Sequence, residues 1–104
     1  MFFFKDKNKN HKITISQAKK LLKDKEIIVV DVRTPEEFVH QHLPNAINLN
    51  IFDKNFQEKV SALEKDSTYL LYCKSGQRCN STLYFMLNCG FKNVYSVQGD
   101  PIKG

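Results

Sequence analysis

The sequence predicts an α/β domain of three layers, a mostly parallel central sheet flanked by helices on both faces, and three observations carry that expectation. Short apolar runs alternate along the chain with stretches of helical periodicity. Ile27–Val30 is a continuous β-branched run of the kind that a parallel sheet covers on both faces. The 104 residues, 41% of them hydrophobic, suffice for one core without disulfides or metal, and nothing marks a second domain.

Taken in order, residues 1–11 mix Phe2, Phe3 and Phe4 with lysine and asparagine in no period and read as a mobile arm, so the domain is expected to span 12–104. Lys12–Ile15 is a short strand candidate. Ser16 is taken as the N-cap of a helix that turns Ala18, Leu21 and Leu22 toward a core. After the Ile27–Val30 strand, Thr34 caps a helix whose first position is Pro35, and Glu37 closes a capping box. His42, Leu43, Pro44 and Asn45 break that helix, and Ala46–Leu49 is the next strand. Asp53 or Asn55 starts a helix in which Phe56, Val60 and Leu63 share one face. Thr68–Tyr72 is a strand, a helix runs from about Asn80 to Asn88 and ends at Gly90, and Val94–Val97 is the last strand. Such alternation implies right-handed parallel crossovers, with ligands at the carboxyl ends of the strands. Cys73 and Asp31 both fall at such ends.

Composition narrows the function. The apolar runs are too short for a membrane span or a signal peptide, so a cytoplasmic protein without membrane partners is expected. Three cysteines, Cys73, Cys79 and Cys89, lack the paired spacing of a zinc site and do not form a disulfide scaffold; no metal or cofactor is expected. The net charge of +5 comes from scattered lysines without patterned aromatics, which argues against nucleic acid as a partner. Among the sixteen basic residues only Arg33 and Arg78 are arginine, so these two positions point to a need for the planar, five-donor fork.

The chemistry concentrates in Cys73, Lys74, Ser75, Gly76, Gln77 and Arg78, between an apolar strand and a helix. A cysteine at a strand-to-helix turn lies beneath unpaired backbone N–H groups and the positive end of the helix dipole, both of which favour thiolate over thiol. Gly76 removes the side chain where the backbone must bend closely. Cys73 is therefore the candidate nucleophile. Lys74, Ser75, Gly76, Gln77 and Arg78 are the candidate substrate-binding residues. Asp31 and Arg33 read as a supporting ion pair that braces the neighbouring turn, with Glu37 as a further partner. His42 sits in the turn before Leu43 and Pro44, and a thiolate already formed needs no general base, so it stays outside the catalytic set.

At this loop the sequence resembles the rhodanese family. Residues 31–38 look like the family's segment after its second strand, 42–49 like its next turn and strand, 72–78 like its active-site loop, and 90–95 like the approach to its last strand. The resemblance implies a rhodanese-like sulfurtransferase of thiosulfate type, and the chain itself is expected to be a monomer. In it Cys73 would take a sulfane sulfur from thiosulfate or a protein donor, form a persulfide, and pass the sulfur to cyanide, a thiol or a protein acceptor, with the loop amides and Arg78 holding the anion. A persulfide carrier with little free-standing turnover is the alternative. Phosphatases and arsenate reductases of this fold have one more residue in the loop than the four between Cys73 and Arg78, so a phosphate should fit this smaller ring poorly. Cys79, where the family usually has a small residue, reads either as packing or as a thiol that attacks a Cys73 persulfide. Cys89 reads as core. Gln41, Asn45 and Asp100 stand where the family prefers glycine, and the ending at Gly104 leaves a short wall beside the site.

Overall fold

The computed structural model describes residues 10–103, so residues 1–9 of the expected arm lie outside the described residues. Among the described residues five strands and four helices alternate: β1 (Lys12–Ile13), α1 (Ile15–Leu21), β2 (Ile28–Asp31), α2 (Pro35–His40), β3 (Ile47–Asn48), α3 (Phe56–Ser61), β4 (Tyr69–Tyr72), α4 (Gln77–Asn88) and β5 (Val94–Val97). The strands form one sheet in the order β1-β5-β4-β2-β3, and every pair is parallel. His11, expected in the arm, is tied to β5: its ring Nδ1 lies 2.8 Å from the Val94 carbonyl, and the His11 carbonyl accepts from the Ser96 N–H.

Strand alternation divides the core between the two faces of the sheet. Tyr69, Leu71 and Cys73 point into a cluster with Phe56, Val60, Leu83, Met86 and Phe91, under α3 and α4. Leu70 and Tyr72 point the other way, toward Ile13, Ala18, Tyr95 and Val97 under α1. Phe56 and Val60 are buried and Leu63 packs against the same cluster, as their spacing requires. Cys89 also packs there.

Two helix starts differ from the sequence expectation, each for a local reason. The cap of α1 is Thr14, not Ser16: Thr14 Oγ1 accepts from the Gln17 N–H while Gln17 Oε1 accepts from the Thr14 N–H. This is the Thr-x-x-Gln capping box, the same device by which Thr34 and Glu37 open α2, and it stops β1 at Ile13. The start of α4 lies at Gln77 rather than Asn80, because Gly76 adopts φ +101° and turns the chain within three residues of Cys73. The end of α4 is as expected. Gly90, at φ +97°, donates to Leu87 O while the Phe91 N–H reaches Met86 O, closing a Schellman motif that buries Phe91 edge-on to Tyr69.

The turn departures from the family pattern are accommodated. Asn45 takes φ +65°, a conformation asparagine tolerates, and Gln41 is extended at φ −167°, open to any residue. Asp100 accepts the Ile102 N–H at 3.0 Å, which turns Ile102 onto the α1 face of the core.

Candidate active site

Cys73 prolongs the alternation of β4 and therefore aims its sulfur at the face covered by α4. The N-cap of that helix, Gly76, has no side chain with which to satisfy the first-turn amides. The Cys73 sulfur does so instead, accepting from the Gly76 N–H at 3.1 Å and the Cys79 N–H at 3.4 Å. In effect the thiolate is the cap of α4. Beside it, Cys79 Sγ lies 3.5 Å from Cys73 Sγ, within hydrogen-bond reach of it.

These contacts set the protonation states. The Cys79 thiol, followed by the amides of Cys79, Gly76 and Ser75, outweighs burial and draws the Cys73 thiol down to about 5. Cys79 moves the other way: its hydrogen bond with the Cys73 sulfur and its burial both hold the proton on it and push its thiol above the ordinary range. One proton thus remains on the pair near neutrality, and it sits on Cys79. The expected result is an alkylation rate at Cys73, followed by peptide mapping with iodoacetamide, that rises as pH passes about 5 and is level by pH 7. The sign is fixed because a lowered value leaves thiolate at every pH above it. A rise near the ordinary thiol value of about 8.5 would contradict the cap geometry.

The loop residues divide between backbone and side-chain roles. Lys74, Ser75 and Gln77 are exposed on the rim, and what residues 75 and 76 offer the sulfur is their amides. Arg78, half-buried, forms a two-pronged pair with Glu37: Nη1 to Oε1 at 2.8 Å and Nη2 to Oε2 at 3.1 Å. The Arg78 guanidinium, ahead of the Thr34 bonds, holds the Glu37 carboxyl at about 2. Glu37 was expected beside Arg33; its reach from the first turn of α2 across to α4 gives it to Arg78 instead.

Asp31 and Arg33 form the braced pair that the sequence suggests. Asp31 is fully buried at the end of β2, directly opposite Tyr72 of β4, and accepts Arg33 Nη2 at 2.7 Å, Nε at 3.0 Å and the Arg33 N–H at 2.9 Å. Arg33 also donates to Gln41 O at 2.6 Å and lies over the Tyr72 ring, 5.5 Å from its centroid. His42 stacks on Phe38 and its Nδ1 lies 2.7 Å from the Phe38 carbonyl, so it ends α2 and takes no part in the sulfur cradle. Next to the loop, Arg33, Glu37, His40, Gln41, Lys74, Asp100, Ile102 and Lys103 line a cleft of about 220 Å³. A larger groove of about 350 Å³ between α3 and α4, lined by Ile51, Phe56 and Phe85 among others, holds no residue of the 73–78 loop. Among the described residues no three His, Cys, Asp or Glu side chains converge as metal ligands, and no helix is long and apolar enough to cross a membrane.

Residues 14–100 match the model of the rhodanese-like domain. The chain belongs to the rhodanese-like family. Its recognition from the four sequence blocks holds, and so does the three-layer α/β fold. Among solved structures, a rhodanese-related protein from Thermoplasma volcanium superposes with a TM-score of 0.75 at 28% identity, covering 88% of this chain and 86% of its own. The human single-domain sulfurtransferase TSTD1 shares the fold, with a TM-score of 0.73 at 16% identity over 88% of this chain and 91% of its own. A tRNA uridine(34) hydroxylase from Yersinia pestis (strain Pestoides F) is 32% identical over 96% of this chain. That match takes in 29% of the hydroxylase, so the rhodanese-like chain spans under a third of the length of such curated relatives.

Sequence reasoning missed the polar surroundings of Cys79. Ser96 Oγ lies 2.9 Å from Cys79 Sγ and 2.6 Å from Asn80 Oδ1, and Gln98 Nε2 donates to the same Asn80 oxygen at 2.8 Å. The signal was present, since Ser96 is the one small polar residue in the otherwise apolar and aromatic β5.

Proposed function

We propose that this rhodanese-like domain is a sulfurtransferase in which Cys73 takes a sulfane sulfur from thiosulfate or a related donor and passes it to a thiol or cyanide acceptor. The observation that carries this reading is the Cys73 sulfur acting as the anionic cap of α4 under the Gly76 and Cys79 amides. A thiolate there attacks the outer sulfur of thiosulfate, the sulfur–sulfur bond breaks, and sulfite leaves with its electron pair. The amides then hold the persulfide anion without reorganisation. Lys74 and Lys103 stand on the wall of the neighbouring cleft with Asp100 and the Arg78-paired Glu37, and offer an anionic donor two exposed ammonium groups. Arg78 adds positive charge to the loop, oriented by Glu37. Asp31 and Arg33 support the turn and do not touch the sulfur.

A second reading follows from the Yersinia relatives: the domain serves a larger protein that acts on tRNA, with Cys73 as a bound sulfur or redox centre. The two separate in one measurement, intact mass after thiosulfate treatment followed by desalting. Wild type is expected to gain one sulfur atom and Cys73→Ser none, with thiocyanate formed from cyanide by the former only. No sulfur gained by wild type, together with tRNA oxidation that depends on Cys73, would reverse the ranking.

A further inference from the structure

Cys79 is in the wrong surroundings for a filler. Its side chain is fully buried, yet its sulfur meets three polar neighbours besides Cys73: Ser96 Oγ at 2.9 Å, Gly76 O at 3.3 Å and Val97 O at 3.5 Å. Cys79 belongs to the core cluster under α3 and α4, and packing accounts for its burial there but not for these polar contacts. Here a hydroxyl is aimed at it.

The Ser96 hydroxyl has one proton and two acceptors within reach, Cys79 Sγ and Asn80 Oδ1. Asn80 Oδ1 also receives Gln98 Nε2 at 2.8 Å, so it stays bonded when Ser96 turns away. Ser96 can therefore swing its proton onto the Cys79 sulfur and stabilise negative charge there, while the carboxamide oxygen keeps a donor. In the resting pair that charge is on Cys73 and Cys79 holds the proton. Once Cys73 carries a second sulfur, the charge moves outward to that atom and Cys79 faces a neutral, electrophilic Sγ.

We infer that Cys79 is a resolving thiol, which discharges the Cys73 persulfide as hydrosulfide and makes a dithiol the acceptor class for this domain. This rests on the persulfide reading of Cys73 given above. In the step, Cys79 Sγ attacks Cys73 Sγ and a disulfide forms between them. The bond from Cys73 Sγ to the outer sulfur breaks, and the outer sulfur keeps the electron pair. Cys79 releases one proton as it attacks, with the Ser96 hydroxyl turned onto its sulfur, and the outer sulfur takes one proton from solvent and leaves as hydrosulfide. The two cysteines lose two electrons and the sulfane sulfur gains them. An external dithiol then restores both cysteines by thiol–disulfide exchange and is itself oxidised to a disulfide.

The geometry favours this route. The two sulfurs are already 3.5 Å apart, so closing to a bond of about 2.05 Å needs a shift of about 1.5 Å. A donor reaches Cys73 only from the solvent side, past Lys74, Ser75 and Gln77, whereas Cys79 has no exposed surface. Displacement at sulfur demands that the outer sulfur leave on the side of Cys73 Sγ away from Cys79, and the exposed rim of Lys74, Ser75 and Gln77 is the side open to it.

The test loads wild type with thiosulfate, removes the donor by anaerobic desalting without reductant, and follows intact mass, released sulfide and the cysteine-containing peptides over time. Wild type is expected to gain one sulfur, then lose it as sulfide and end two hydrogens lighter than the reduced protein, with Cys73 linked to Cys79. The decay should be first order and independent of protein concentration. Cys79→Ser and Cys79→Ala should retain the added sulfur, and Ser96→Ala should discharge about 10-fold more slowly. The wild-type crosslink needs no variant, so a folding defect in one of them leaves the test intact. A wild type that holds its sulfur as long as Cys79→Ser, with no crosslink, overturns the inference and leaves the Cys73 persulfide standing. A wild type and Cys79 variants that all fail to gain sulfur overturn both.

Discussion

Asp31→Ala is expected to lower the stability of the domain by about 3–5 kcal/mol, a drop in Tm of more than ~10 °C, read by urea and thermal unfolding. The size comes from what is left behind. Arg33 is 8% exposed, and the alanine variant would strand its guanidinium against Tyr72 with the Gln41 carbonyl as a remaining partner. A buried charge without its counter-ion costs far more than the pair contributes, because the desolvation already incurred is no longer offset. That asymmetry supplies the control. The double variant Asp31→Leu with Arg33→Met removes both charges and keeps the volume, and it should be markedly more stable than Asp31→Ala alone. A single variant within about 0.5 kcal/mol of wild type, the range of an ordinary surface substitution, would mean that the pair does not brace the turn.

Because Asp31 ends β2 directly beside Tyr72, the residue before Cys73, the loss should also reach the sulfur cradle. Asn48 ties the same turn to β3, donating to the carbonyls of Asp31 and Arg33 at 3.0 and 2.9 Å. Position, more than stability, is what the pair supplies to the active site. The two arginines of a lysine-rich chain thus divide the work: Arg33 fixes the end of one central strand and Arg78, through Glu37, ties α4 to α2. Each uses the planar fork on a carboxylate, which lysine would do as a single point charge.

How much of this was legible in the sequence depended on whether the signal was local. Ile27–Val30 and Tyr69–Tyr72 could be read as buried parallel strands because the property that matters, an unbroken apolar run, is written in consecutive residues. Thr34, Pro35 and Glu37 gave the start of α2 in the same way. The α1 cap was equally local and was misplaced because Ser16 and Thr14 are both acceptable caps; the glutamine three residues after Thr14 decides between them. The order of residues in the cysteine loop was enough to propose chemistry there. What was not readable was partnership across the fold. Glu37 lies 41 residues from Arg78, and Ser96 lies 17 from Cys79, so neither contact has a spacing to betray it. Only the parallel order of β4 and β5 brings Ser96 under α4.

Gly76→Ala is expected to cut sulfur transfer by about 10²–10³-fold while costing only about 1–3 kcal/mol of stability. Space is not the obstacle, since a Cβ at this position would meet Gln98 Oε1 at 3.4 Å and the Val97 carbonyl at 3.5 Å, close to ordinary contact. The obstacle is φ +101°, which side-chain-bearing residues rarely adopt. The backbone can relieve that strain by rotating the peptide unit that carries the Gly76 N–H, which withdraws the shortest donor to the Cys73 sulfur, now at 3.1 Å. The thiolate then loses part of what lowers it, and the midpoint of Cys73 alkylation must move up from about 5. Stability and reactivity therefore part company in this variant, and that separation is the measurement. Unfolding curves that shift together with an unchanged alkylation profile would show that residue 76 serves the turn alone. A raised midpoint in a domain that still folds would place the chemistry in the amide, and explain why a loop of exposed Lys74, Ser75 and Gln77 needs its one glycine where the helix begins.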